Sequence, residues 1–302
     1  MSRSNILSPR IEAHLQAKLE EMFGPARGAA GGQTVALHRM RVATRRLRVG
    51  LRYFSALFPS GDHRQIQKHL RRATRSLGKI RSVDVQLQLL RQSRQYLPAA
   101  TTTVQRKLTG ELLADRHRHV TELQELFQTF ATSQFEAHIR KLVLQPRPLD
   151  DQRVLADARD YLAKLRRQMR RRFKDCRRDE RSGPPFHKLR LAAKRYRYAL
   201  ETSTAVLQIS AAAQIQAIKK MQAHLGASHD LEELLEFLQA CRRKWQKADN
   251  PLAGRLANVL TFFQGEHEVA FAAAQKILRE DHGWHKKVKL RLARNNDRAL
   301  SR

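Results

Sequence analysis

The segment His38-Arg39-Met40-Arg41-Val42-Ala43-Thr44-Arg45-Arg46-Leu47-Arg48 returns as His187-Lys188-Leu189-Arg190-Leu191-Ala192-Ala193-Lys194-Arg195-Tyr196-Arg197, 149 residues further on. A histidine and the cations at 41, 45, 46 and 48 keep their places across about half the chain. On an α-helix, residues three and four apart share a face. His38, Arg41, Arg45, Arg48 and Arg52 therefore form one cationic stripe, about 21 Å long at ~1.5 Å per residue. Met40, Leu47, Leu51, Phe54 and Phe58 form the neighbouring apolar stripe, which can enter a bundle core. In the second copy the cationic stripe is His187, Arg190, Lys194 and Arg197, beside Leu189, Ala193, Tyr196 and Leu200. The same basic helix built twice in register points to two halves arranged around one anion.

Outward from these helices, apolar residues recur at helical spacing and no stretch alternates with the period of a strand. Leu77-Gly78 and Leu225-Gly226 lie 148 residues apart, nearly the offset of the basic helices. Two landmarks at one offset extend the repeat to the whole chain. The spacing predicts an all-α fold of two tandem four-helix bundles related by a pseudo-twofold axis. Within the first half, helices are expected from Asn5 to Phe23, from a Thr34 cap to Phe58, and from Asp62 to Leu97 with an interruption at Gly78. A fourth, capped by Thr101 to Thr103, runs to about Phe130. Gly28 to Gly32 reads as the most flexible linker. In the second half, Asp150 caps a helix to about Arg181, and Ser182-Gly183-Pro184-Pro185 turns into the basic helix. Ser210 opens a helix interrupted at Gly226, Asp230 and Glu233 make a capping pair for its continuation, and Asn250-Pro251 caps the last helix, to about Glu280. The expected organisation is one domain over 6–280. It comprises an N-terminal bundle over 1–146, a C-terminal bundle over 149–282, and a basic tail over 283–302, for which a short helix and disorder both stay open.

Charge sets the class of partner. The chain carries 59 Lys+Arg against 28 Asp+Glu, a formal net charge of +31. Self-repulsion on this scale opposes folding, and an anionic partner offsets it. Hydrophobic residues at 41% suit a folded chain, not a disordered basic tail. Cys176 and Cys241 lie far apart without CxxC spacing, which argues against a disulfide scaffold or zinc ribbon and fits a reducing cytoplasm. Met1 to Gln16 lacks the apolar core of a signal peptide, and no apolar run approaches the ~20 residues that span a bilayer.

Solvated helix faces usually interleave acids with bases, but between Met22 and Val83 the only acid is Asp62. Arg64, Lys68, Arg72, Arg75 and Lys79 add a second cationic stripe on the following helix. Arginine dominates over lysine, and its planar fork matches phosphate oxygens two at a time. So many forks call for a long polyanion or an array of phosphates. His38 and His187 stand among arginines, which disfavour the imidazolium. A neutral ring still donates one N–H to a phosphate oxygen, so anion contact or helix positioning fits these residues better than catalysis.

The pattern H-x-x-R-x-x-x-[RK]-R-x-R, followed by L-G-x-x-x-x-x-D and repeated once, resembles the CHAD family, the conserved histidine α-helical domain. The resemblance runs from about Ile6 to about Glu280 and is close through Arg197-Tyr198-Ala199-Leu200-Glu201. It implies two pseudo-symmetric four-helix bundles, binding of inorganic polyphosphate through basic residues, and association with polyphosphate granules. By motif position that role falls to His38, Arg41, Arg45, Arg46 and Arg48, and to His187, Arg190, Lys194, Arg195 and Arg197. Arg52, Arg75 and Lys79 extend the stripes. Arg71 and Arg72 match Lys219 and Lys220 at an offset of 148 and form a second tier. The sequence departs from the family at Ser82, where an acid commonly follows the arginine. His229 stands at the place of Arg81, and Ala223 and Ala227 stand opposite Arg75 and Lys79. The first half therefore carries more of the charge. No ExExK motif of the CYTH triphosphatase-like domain found in some relatives is present.

The expected function is non-catalytic binding of inorganic polyphosphate by a cytoplasmic protein associated with granules. No catalytic residue, metal or cofactor is assigned. Nonspecific nucleic-acid binding is the alternative, since charge alone produces it in vitro. Against it, aromatics are only 6%, and no RNP motif, zinc finger or basic zipper is visible. An enzyme is disfavoured because no phosphate loop, nucleophile elbow or H-E-x-x-H occurs. The His117/His119 and His282/His285 pairs lack ligand partners. Asp84, Glu201, Asp230 and Glu232 could hold Mg²⁺ between phosphates, but capping helices or orienting arginines fits them better. A membrane surface ranks last, because the basic faces lack a belt of exposed Trp or Phe.

Overall fold

A computed structural model describes residues 6–132, 134–147, 149–178, 184–280 and 283–284. Ten α-helices account for most of them, and no strand occurs among the described residues. The first half contains α1 (Leu7–Phe23), α2 (Ala26–Ala30), α3 (Thr34–Tyr53), α4 (Ser60–Ser93), α5 (Thr102–Thr132) and α6 (Phe135–Leu144). In the second half are α7 (Asp151–Arg178), α8 (Pro184–Leu207), α9 (Ala212–Lys247) and α10 (Leu252–Arg279). Helices α1, α3, α4 and α5 correspond in order to α7, α8, α9 and α10. The fold is all-α, with the long helices in repeated order.

The phase read from the sequence holds on both basic helices. Met40, Leu47 and Leu51 are buried on α3, as are Leu189, Ala193, Tyr196 and Leu200 on α8; Phe54 and Phe58 are buried too, but beyond α3, which ends at Tyr53 and not at Phe58. Leu7, Ile11, Leu15, Leu19 and Met22, four residues apart along most of α1, make its buried stripe. Asp150 caps α7 by accepting the Arg153 N–H at 2.7 Å, and Asn250 accepts the Leu252 N–H at 3.0 Å ahead of α10.

Several local expectations fail for physical reasons. The glycine-rich stretch is not a loose linker: Ala26–Ala30 form α2, and Gly32 at φ 76° makes the left-handed turn into α3. Arg116 donates to the Gly32 carbonyl at 2.7 Å and Gln124 to the Ala30 carbonyl at 2.8 Å, which tie the turn to α5. Nor do Gly78 and Gly226 interrupt their helices; α4 and α9 run through them. One glycine in a helix interior costs about 1 kcal/mol, and the burial of Leu77, Ile80 and Leu225 on those helices outweighs it. Asp230 and Glu233 consequently lie mid-helix and cap nothing. Glu233 instead accepts the Ser82 hydroxyl of α4 at 2.5 Å, and α9 begins at Ala212 rather than Ser210. Helix α6 was not separated from α5 by periodicity; Gln134, at φ 48°, breaks between them.

Apolar packing crosses the boundary between the sequence halves. One cluster joins α1, α3, α7 and α8 to the N-terminal parts of α4 and α9. The other, around Leu90, Leu108, Leu234, Trp245 and Phe263, is built from α4, α5, α9 and α10, two helices from each half. Asp151 of α7 accepts the Ile6 and Leu7 N–H groups at 3.0 and 3.1 Å, so the second half caps the first helix of the first. Trp284, placed by its sequence position in the basic tail, is instead buried against Phe173 at 5.2 Å between ring centroids. His282, the remainder of the tail and the Ser182-Gly183 turn lie outside the described residues. Cys176 and Cys241 are both buried.

Candidate anion-binding groove

Helices α3 and α8 pack against each other, and the Tyr53 hydroxyl meets Ser203 Oγ at 2.6 Å. Their cationic faces, with α4 and α7, enclose a groove of about 500 Å³. It is lined by Arg45, Arg48 and Arg52 of α3, Arg71 and Thr74 of α4, Tyr161 of α7, and Lys194, Arg195 and Tyr198 of α8, with Val49 and Leu191 between them. Five arginines and Lys194 thus face a common space, and no carboxylate lines it.

Two further arginines complete the cluster behind the lining. Arg41 and Arg190, which occupy equivalent positions in the two basic helices, both lie close enough to act on Lys194, and Arg190 acts on Arg41. The Nε atoms of Arg41, Arg48 and Arg190 are buried and have no hydrogen-bond partner among the described residues, while Arg197 Nε stands 3.4 Å from a Glu201 oxygen. Of these, Arg41 and Arg190 are the equivalent pair. Buried donors without acceptors are costly, so their recurrence in both helices marks a place shaped for an acceptor.

The electrostatics follow from burial among like charges. Burial, then Arg45, Arg81 and Arg190, pushes Arg41 down to about 10; burial, then Arg52, Arg71 and Arg195, does the same to Arg48. Lys194 is pushed further, to about 6, by burial and then by Arg190, Arg45 and Arg41, with Asp230 opposing. The arginines keep their charge at neutral pH, whereas the Lys194 amine is largely neutral. Burial lowers His38, aided by Arg41 and Arg81, and lowers His187, aided first by His229. Both imidazoles are then neutral donors.

Acids are distributed unevenly around this cluster. Asp230 lies 3.3 Å from Arg190, and Glu201 lies 3.4 Å from both Arg46 and Arg197. Asp84 binds Arg116 at 2.7 Å, and Glu232 lies 3.7 Å from His229. The carboxylates near the motifs therefore orient cations and one histidine. Among the described residues no group of three or more His, Cys, Asp or Glu side chains is placed to hold a metal ion. No described helix is long and apolar enough to cross a membrane.

Of the residues singled out in the sequence, Arg45, Arg48, Arg52, Arg71, Lys194 and Arg195 line the groove, with Arg41 and Arg190 beside them. Arg46 and Arg197 turn to Glu201 instead. His38 is exposed, close to Arg41 and Arg81, and His187 packs on His229 with ring centroids 4.8 Å apart. Arg72, Arg75 and Lys79 lie elsewhere, on the outer face of α4. Lys219 is exposed away from the lining, and Lys220 reaches Glu280 at 3.7 Å. Sequence reasoning passed over Arg81, Tyr161 and Tyr198 as site residues. Tyr198 stood inside the quoted motif, and Tyr161 gave no signal beyond its place on a basic helix.

The sequence model of the family described as CHAD domain matches residues 13–239. The fold is similar to the crystal structure of the CHAD domain from the plant Ricinus communis. That likeness has a TM-score of 0.69 at 20% identity and covers 96% of this chain and 96% of that one. It is also similar to PptA from Streptomyces chartreusis, with a TM-score of 0.62 at 17% identity, over 91% of this chain and 100% of that one. At these identities the likeness is one of fold. No curated protein matches the chain.

Proposed function

The chain belongs to the CHAD family, and from that membership and the groove together we propose that it binds inorganic polyphosphate without transforming it, in the cytoplasm and in association with polyphosphate granules. The observation that carries this reading is the groove lining, in which five arginines and Lys194 meet without a carboxylate. Linear polyphosphate offers a dense row of oxygens and no bases. Guanidinium forks and neutral imidazole N–H groups suit such a ligand, and it relieves the like-charge repulsion stored in the cluster.

The lining also bears on the competing reading. A groove for single-stranded nucleic acid needs exposed aromatic faces for stacking. Tyr198 is 6% exposed and lies under the Arg197 guanidinium at 4.8 Å. Tyr161 is half-buried with its ring edge-on to Tyr53. Neither offers a free platform. A binding role rather than catalysis is favoured by a lining of cations, phenols and one threonine, with no acid–base pair.

The deciding experiment titrates polyphosphates of graded length over a salt series and competes them with single-stranded DNA. Preference for polyphosphate at equal charge, with no phosphate released on incubation, supports the reading. Equal competition by DNA removes the specificity, and phosphate release that disappears in His38→Ala and His187→Ala overturns the non-catalytic assignment.

A further inference from the structure

We propose that a long polyphosphate chain does not end in this groove but leaves it past Arg52, turns around the N-terminal end of α4 at Arg64, and continues over Lys68, Arg72 and Arg75 on the outer face of that helix. The inference rests on the reading of the groove given above and assigns it a second track.

Continuity is the first argument. A wider groove of about 1060 Å³ between the start of α4 and α7 shares Arg52 and Tyr161 with the first. It brings Arg64, Lys164 and Arg167 to one path, where Asp157 is paired with Arg153 at 3.4 Å and Asp160 is the other acid. A depression of about 420 Å³ takes over at Arg64 and runs past Lys68 to Arg72. The next shares Arg72 and holds Arg75. Beyond it Lys79 is bonded to Glu122 at 2.9 Å, which closes the run of unneutralised cations. Arg64 to Arg75 spans about 16 Å of helix at ~1.5 Å per residue.

The second argument is that these charges have few acids near them among the described residues, Glu125 and the Lys79-bonded Glu122 beside Arg72 and Arg75 being the acids of that depression. All four side chains are exposed. Among the described residues no acid pairs with Lys68, Arg72 or Arg75, and Asp62 is occupied by His138 at 3.6 Å. Like charges at this spacing oppose the helix by a few tenths of a kcal/mol per pair. A stripe serving only to solvate a long helix should recur on α9, yet the matching positions there are Ala212, Gln216, Lys220 and Ala223. The stripe exists only beside the half whose cations line the groove.

The test compares tripolyphosphate with long-chain polyphosphate on the full chain and on the double variant Arg64→Ala/Lys68→Ala. These positions are exposed, so the variant should keep its helical circular dichroism. Wild type should bind both ligands. The variant should bind tripolyphosphate as wild type does, while its long-chain log K against log salt slope falls by about 1.4, from two contacts at roughly 0.7 each as on single-stranded polyanions. An unchanged long-chain slope overturns the second track and leaves the groove standing. Equal losses for both ligands also overturn it, because the two cations would then act only as a general field. If wild type binds neither polyphosphate, the groove reading itself falls, and the track with it.

Discussion

Arg52 and Glu201 occupy equivalent positions in the two basic helices, 149 residues apart, and carry opposite charges. Arg52 lines the groove, while Glu201 stands 3.4 Å from both Arg46 and Arg197. The pseudo-twofold would otherwise produce two cationic grooves. Glu201 instead puts an acid at that place on α8, and the groove is weighted to the first half. Arg45, Arg48, Arg52 and Arg71 come from that half against Lys194 and Arg195 from the other.

That exchange can be tested by altering it. Arg52→Glu should weaken polyphosphate binding at least tenfold, since a charged hydrogen bond contributes about 1.5–3 kcal/mol and each 1.4 kcal/mol is a factor of ten. Glu201→Gln should free Arg46 and Arg197 and raise affinity severalfold. Titration by calorimetry measures both. Equal affinities in the three proteins would show that the groove is not where the polymer lies.

Lys194 makes binding depend on pH. Its amine is surrounded by Arg190 and Arg195 on its own helix, by Arg41, Arg45 and Arg48 on α3 and by Arg71 on α4. Tyr161 of α7 and Asp230 of α9 also face the cluster. Burial, then Arg190, Arg45 and Arg41, lower it from the ordinary 10.5 to about 6 against the opposing Asp230. A polyanion favours the protonated amine, so binding should take up a proton and strengthen as pH falls from about 9 towards 6. For the free protein the sign is opposite. Between about 6 and 10.5 the unfolded chain holds the extra proton, so stability rises with pH through that window and is least below it. Calorimetry in buffers of different ionisation enthalpy counts the proton. Lys194→Arg should abolish the uptake while retaining binding, as Arg45 does at the equivalent position.

How much of this was legible beforehand depended on how local each cause is. The stripe of Arg41, Arg45, Arg48 and Arg52 and its apolar companion follow from helical phase alone, and both are where phase puts them. Gly78, Gly226 and the glycines before Thr34 misled, because a glycine signals a break only when nothing packs against the helix around it. Asp230 looked like a cap for the same reason, and its partner, Arg190, is 40 residues away in the chain. Tyr161 and Tyr198 entered the groove through the docking of α7 and α8, which no single-helix pattern contains.

Asp151 gives a stability test away from the anion site. It is 3% exposed and accepts two backbone N–H groups at the start of α1 from across the boundary between the halves. Loss of an N-cap costs about 0.5–2 kcal/mol, and a buried Leu7 donor beside a part-buried Ile6 donor places Asp151→Ala towards the upper end. Thermal unfolding should show a single transition at lower temperature, because the two halves share both apolar clusters. Separate transitions for the halves would contradict a shared core.

Salt should act on the free and the bound protein in opposite directions. In the free chain the cluster of Arg41, Arg45, Arg48 and Arg190 repels itself, and exposed stripes add to that repulsion. Raising ionic strength from about 0.01 to 0.15 M shortens the screening length from about 30 to 8 Å, so the free protein should unfold at a higher temperature. Bound polyphosphate supplies the counter-charge directly and stabilises by about 2.7 kcal/mol at a hundredfold excess over Kd. The same added salt weakens that binding through counterion release. Thermal unfolding across a salt series, with and without polyphosphate, should therefore give two curves that converge as salt rises. Parallel curves would mean that the stabilisation by polyphosphate does not arise from neutralising the cluster.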